Sequence, residues 1–131
     1  MSKNKKFRLM AALVFLFGLL TIFSGGIALF GGVAARAAVG DAVPFVLWFN
    51  FLAGFAYVAA GVGLWLQVRW GVVLASLIAV ATVIVIVAFG LHVIWGGAYE
   101  VRTVGALALR GLIWIFVAIF SWRLMKSGTS P

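Results

Sequence analysis

Four long runs dominate this chain, about 9–30, 45–66, 72–94 and 99–122, the first three without Asp, Glu, Lys or Arg and the last apolar from Ala106 apart from Arg110. A helix rises 1.5 Å per residue, so about 20 apolar residues cross a hydrocarbon core ~30 Å thick. Each run has that length. Spanning β-strands would alternate polar and apolar over ~10 residues, whereas these runs are apolar all round. The expected fold is therefore all-α: a polytopic integral membrane protein, a single bundle of four transmembrane helices. Of the 131 residues, 66% are hydrophobic and 9% charged, against roughly 25% charged in soluble domains. A soluble globule this small has too little interior to hide so much apolar surface.

Breakers fall between the runs. Gly31-Gly32 and Gly40 to Pro44 bound a first loop, Gln67 to Gly71 forms a tight turn, and Trp95-Gly96-Gly97 opens a third connection. No linker or second domain interrupts them. A Lys-rich start followed by Ala35-Arg36-Ala37 resembles a cleavable signal peptide. Its 22-residue apolar run exceeds the usual ~7–15, so it reads as a retained span.

The net charge of +8 is a topology signal. Lys3, Lys5, Lys6, Arg8, Arg69, Arg123 and Lys126 flank one set of span ends, while Arg36 and Arg102 lie on the other side with Asp41 and Glu100. Seven basic residues against two place both termini in the cytoplasm of a cell with this protein in its inner membrane. Trp65, Trp70 and Trp122 would form the inner aromatic belt, and Trp48 and Trp95 the outer one. No basic face with interleaved polar groups exists, so nucleic acid is not an expected partner.

Small residues mark helix contacts in lipid, where close approach replaces the hydrophobic effect. Ala11, Gly18, Gly25 and Gly32 recur at heptad spacing, with Thr21 and Ala28 between them. Ala56/Ala60 and Ala59/Gly63 in the second span, and Ala75, Ala79 and Thr82 in the third, offer similar faces. A compact left-handed bundle is expected.

Intramembrane polar groups are costly and therefore functional candidates. Arg110 lies 12 residues from Trp122, ~18 Å along the helix and past the midplane. Thr21 falls near its level, Thr82 slightly toward the cytoplasm, Tyr57 below it and Asn50 above it. Thr21, Asn50, Tyr57, Thr82 and Arg110 thus form a candidate binding layer, the alternative being unrelated interhelical hydrogen bonds. A second cluster, Asp41, His92, Tyr99, Glu100 and Arg102, gathers at the outer face. With a fourth helix starting near Ala98, Tyr99, Thr103, Ala106 and Arg110 share one side. Glu100 is expected to pair across helices, with Arg36 or with Arg102 of a neighbouring copy, and Asp41 to reach Arg110. A salt-bridge network is the expectation there.

Chemistry is scarce. There is no Cys, one His and two acids, so thiol catalysis and Cys-based metal sites are absent. A lone His makes a poor metal site, and no second axial ligand for a haem is placed near it. No nucleophile motif, phosphate loop or dinucleotide fingerprint occurs. The expectation is a non-enzyme without metal or cofactor.

Phe51-Leu52-Ala53-Gly54-Phe55 through Gly61-Val62-Gly63-Leu64, followed by a brief basic turn at Arg69, resembles the DoxX-like group of small bacterial membrane proteins. That resemblance covers the second and third spans and implies an accessory role near membrane redox complexes, with no catalytic residues. Tyr99 to Gly105 lies outside it. Three roles follow: an accessory or assembly subunit of a larger membrane complex, a small oligomeric transporter or channel, or a protein that binds lipid or quinone. Expected partners are membrane lipids, other membrane subunits and further copies of the chain. For the topology, alkaline phosphatase fused after Met125 is expected to be inactive in a bacterial host and active when fused after Gly97. The opposite pattern would refute the charge rule here.

Overall fold

The computed structural model describes residues 2–128. It is all-helical: α1 (Lys3–Phe30), α2 (Val33–Val39), α3 (Pro44–Trp65), α4 (Arg69–Ile94) and α5 (Val101–Gly128). Four of these, all but α2, are long and apolar enough to cross a membrane. The chain is a small multi-pass integral membrane protein.

The helix ends follow local chemistry. The Ser2 hydroxyl accepts from the Lys5 amide and caps α1. At the far end Gly31 closes the last turn by donating to the Ile27 carbonyl, and Gly32 at φ +89° turns the chain away. Pro44 sits in the first turn of α3, where a missing N–H costs nothing. The sequence reads the stretch between Gly31 and Pro44 as a loop. That stretch instead contains α2, because Ala-rich Val33–Val39 has strong helix formers bounded by Gly32 and Gly40. The last span also differs: regular helix begins at Val101, so Ala98 and Tyr99 lie outside it.

Helices α1 and α3 run antiparallel and share the broadest interface. Glycines set its depth. A Cβ on Gly18 would lie 2.8 Å from the Val58 backbone nitrogen, and one on Gly54 would lie 3.0 Å from that of Ile22. Gly25 faces Phe51 and Gly61 faces Phe15 in the same register. The α1 stripe therefore does face a neighbour, but Gly32 is not part of it. The matching pair on α3 is Gly54 and Gly61, seven residues apart like Gly18 and Gly25. At the α3–α4 turn Gly63 and Gly71 touch backbone to backbone.

One core cluster unites all four long helices, with Phe7 and Val14 from α1, Tyr57 and Leu64 from α3, Val72 from α4 and Trp114 from α5. It fills the half nearer the termini. The other half is held by Val43, Val46, Phe89 and Leu107, with no contribution from α1. Cation–ring contacts tie the termini end: Arg8 over Trp65 at 5.3 Å and Arg69 over Trp122 at 5.9 Å. The Trp122 indole also donates to Ser76 Oγ across 2.6 Å.

The bundle does not close evenly. α3 packs on α1 and on α4, and α4 packs on α5, but α5 meets α1 only thinly. A seam runs between α1 and α5. Because the α1–α3 contact is backbone-close, Gly18→Ala should cost about 1–3 kcal/mol through overpacking. Gly90→Ala, where an added Cβ meets nothing within 4 Å, should be neutral or gain about 0.5–1 kcal/mol. Unfolding of the two variants in mixed micelles checks this contrast.

Candidate intramembrane site around Arg110

Arg110 is partly buried on the face of α5 turned toward the seam. Its Nη1 donates to Thr21 Oγ1 at 3.3 Å and to the Tyr57 hydroxyl at 3.4 Å. Both bonds are at the long end for N–H···O. The guanidinium also lies 5.2 Å from the centre of the Phe17 ring, a favourable cation–π arrangement. Phe17 stacks on Tyr57 at 5.3 Å, and Tyr57 packs against Trp114 at 4.7 Å. Tyr57 and Trp114 are fully buried. Three helices thus meet at Arg110, with α1 giving Phe17 and Thr21, α3 giving Tyr57, and α5 giving Arg110 and Trp114.

The remaining members of the expected layer lie elsewhere. Thr82 is fully buried on α4, but its hydroxyl donates at 2.8 Å to the Ile78 carbonyl of its own helix. That back-bond is common for Thr in helices, and the Arg110 guanidinium is turned instead toward Thr21 and Phe17 of α1 and Tyr57 of α3. Asn50 Oδ1 is buried without a hydrogen-bond partner among the described residues. Its side chain lines a crevice of about 370 Å³ at the loop end, together with Ser24, Glu100, Arg102 and Thr103. Phe17 and Trp114 were not among the expected site residues. Trp114 could have been found, since it lies one turn after Arg110 on the same side of α5 and alone among the tryptophans sits mid-span.

At the loop end the expected salt-bridge network is replaced by side-chain clasps on backbone groups. Glu100 Oε1 accepts from the Asp41 backbone N–H at 3.0 Å. It also packs directly on Gly40, whose φ of +60° suits glycine. Arg102 Nη2 donates to the Ala38 carbonyl at 3.1 Å. Asp41 takes part through its amide, and its side chain is not drawn down to Arg110. His92 Nε2 lies 2.8 Å from the Ala98 carbonyl. A carbonyl only accepts, so that nitrogen carries the proton. Tyr99, off the helix, sets its ring edge-on to Phe89 at 5.9 Å. Because helix α5 starts at Val101 and not near Ala98, three residues later than expected, Tyr99 leaves the shared face, and Thr103, Ala106 and Arg110 remain on it. Among the described residues, no three His, Asp or Glu side chains gather as a metal site.

Below Arg110 the seam widens into an apolar groove of about 570 Å³. Lys6, Leu9, Met10, Leu13, Val14 and Phe17 of α1 line one wall. Ile113, Phe116, Val117 and Phe120 of α5 line the other. Its volume lies within the ~300–1,000 Å³ typical of small-molecule pockets. On α5 the seam-facing residues are Thr103, Ala106, Arg110, Ile113, Val117 and Phe120, a helical stripe that is polar at the loop end and apolar toward the termini.

Compared with protein families, with curated proteins and with solved structures, the chain matches none. The chemical reading therefore rests on the site itself. Thr21→Val and Tyr57→Phe should each cost about 0.6 kcal/mol, the average for interhelical hydrogen bonds in membranes. Tyr57→Ala, which also removes a buried ring between two others, should cost about 3–5 kcal/mol. Chemical unfolding of the three variants checks the ordering.

Proposed function

We propose that this chain is a non-catalytic membrane protein that holds an apolar-tailed molecule, a lipid or an isoprenoid, in the groove between α1 and α5. The observation that carries this reading is the seam. Three of the four interhelical joints are packed, while the fourth leaves a groove walled by leucine, isoleucine, valine and phenylalanine. Side chains such as Leu13 and Phe116 are exposed along it. Phe116 and Phe120 stack at 5.3 Å, giving the α5 wall a flat aromatic face. Among the described residues no nucleophile stands in hydrogen-bond contact with a general base, so retention or presentation of the molecule suits the chain better than chemistry on it.

A second reading has its own support. Phe30, Trp48, Phe51 and Phe55 form a run of edge-to-face ring contacts along α1 and α3, with centroids 5.3–6.3 Å apart. This surface lies away from the seam, and Phe30, Trp48 and Phe55 are exposed. Aromatic anchors are enriched where proteins meet. It suits an accessory subunit docked on a larger membrane complex, the role that the DoxX-like resemblance implies. Binding in the groove and docking by the aromatic run use different faces, so the two roles are compatible.

Native mass spectrometry after mild detergent extraction tests the groove. The wild-type chain is expected to carry a lipid or isoprenoid adduct. Leu13→Trp, which fills the groove from an exposed position, should lose it. Leu109→Trp, at an exposed leucine outside the groove, should keep it. Equal retention by both variants would refute the reading.

A further inference from the structure

One end of the groove lies beside a charge, since Phe17, which lines it, also touches the Arg110 guanidinium. A guanidinium has five N–H donors in a planar fork. Both hydrogen bonds of Arg110 leave from Nη1. Nε and Nη2 have no hydrogen-bond partner among the described residues, and the side chain is only partly buried. The positive charge is not neutralised within the span either. The sequence has two acidic side chains, Asp41 and Glu100. Glu100 precedes α5, about 15 Å from Arg110 by helix rise, and holds the Asp41 amide. Asp41 is exposed in the connection after α2.

A charge placed this way in a membrane needs a counter-charge, water or a polar ligand. Thr21 and Tyr57 offer neutral hydroxyls, and Phe17 offers the face of its ring. None is an anion. The free edge of the fork, Nε with Nη2, is the edge that binds carboxylate or phosphate in two parallel bonds. Phe17 links the two halves of the site, since it lies against the guanidinium and also lines the groove. From Phe17 to Lys6 the α1 wall runs roughly 16 Å by helix rise, almost all of it apolar.

We propose that Arg110 anchors the anionic group, a carboxylate or a phosphate, of a molecule whose apolar chain lies in the α1–α5 groove. This rests on the groove reading and adds the chemical class of the ligand's polar end. Thr21 and Tyr57 are positioning residues. They hold Nη1 and leave Nε and Nη2 unbonded among the described residues. A neutral quinone or alcohol fills the same groove without meeting the charge, so it is the weaker ligand.

The test uses the full chain in a neutral detergent, with binding read by native mass spectrometry at a pH where fatty acids are ionised. The probes are oleate, oleyl alcohol of the same chain, and dioleoyl phosphatidic acid. The wild-type chain is expected to hold oleate at least about tenfold more tightly than oleyl alcohol, a gap of about 1.4 kcal/mol. Arg110→Gln should bring that ratio to about one and leave alcohol binding unchanged. Arg110→Lys, a point charge without the fork, should fall between. Tighter retention of phosphatidic acid than of oleate would assign the phosphate; the reverse would assign the carboxylate. A wild-type ratio near one, or an unchanged ratio in Arg110→Gln, would overturn the proposal. Leu13→Trp keeps the two readings apart. If it loses both single-chain probes, the groove stands and the ratio decides the anion. If it loses neither, the groove reading itself fails.

Discussion

The close approach of α1 and α3 organises the rest of the molecule. In lipid, helices gain little by hiding apolar surface from one another, and dispersion between well-fitted backbones must hold them. Gly18 and Gly25 on one helix and Gly54 and Gly61 on the other remove the side chains that would keep the axes apart. With α1 committed to α3, it has no comparable surface left for α5. The α1–α5 joint is therefore the weak one, and the groove is the geometric consequence of a good fit elsewhere. The second core, built without α1, reflects the same commitment in the half toward the loops.

Arg110 lies where these two regimes meet. On its termini side the four long helices share one core, and on its loop side α1 adds nothing to the buried core but stays packed on α3 through Gly25 and Phe51, beside a crevice lined by Ser24, Asn50 and Thr103. The cation is braced by two hydroxyls and a ring rather than sealed by a carboxylate. Neutral bracing fixes where a guanidinium points without cancelling its charge. A structural ion pair would have done both, and would have left nothing for a ligand to complete.

Much of this was legible in the sequence. The spans followed from run length, and the meeting of Thr21, Tyr57 and Arg110 followed from counting helix rise from each span's end. Depth alone could not decide direction. Thr82 has a suitable height, but it lies on α4, whereas the guanidinium is turned toward Thr21 and Phe17 of α1 and Tyr57 of α3. Asn50 stands about two turns from Tyr57 on α3, toward the loop end, where it lines a crevice with Ser24 and Thr103. The loop-end cluster misled in another way. Counting charges suggested that acids would meet bases, yet Glu100 and Arg102 satisfy backbone groups of the first connection. A short connection presents exposed N–H and C=O groups, and their pull is invisible to charge counting. The α1–α5 groove was not legible at all, because it is the difference between two packings and has no residue pattern of its own.

The groove is reached sideways, between two helices, and not from either end of the bundle. Its surroundings are acyl chains already present at near-solvent density. Occupancy is therefore governed by exchange against bulk lipid, and the relevant measure is a molecule's mole fraction in the bilayer and not its aqueous concentration. A scarce membrane component would hold the site only by outcompeting this apolar background, and apolar contact gives no such advantage, since every neighbouring chain supplies it equally. Selectivity in such a site has to come from its few polar groups, Arg110 with Thr21 and Tyr57 at one end and Lys6 at the other.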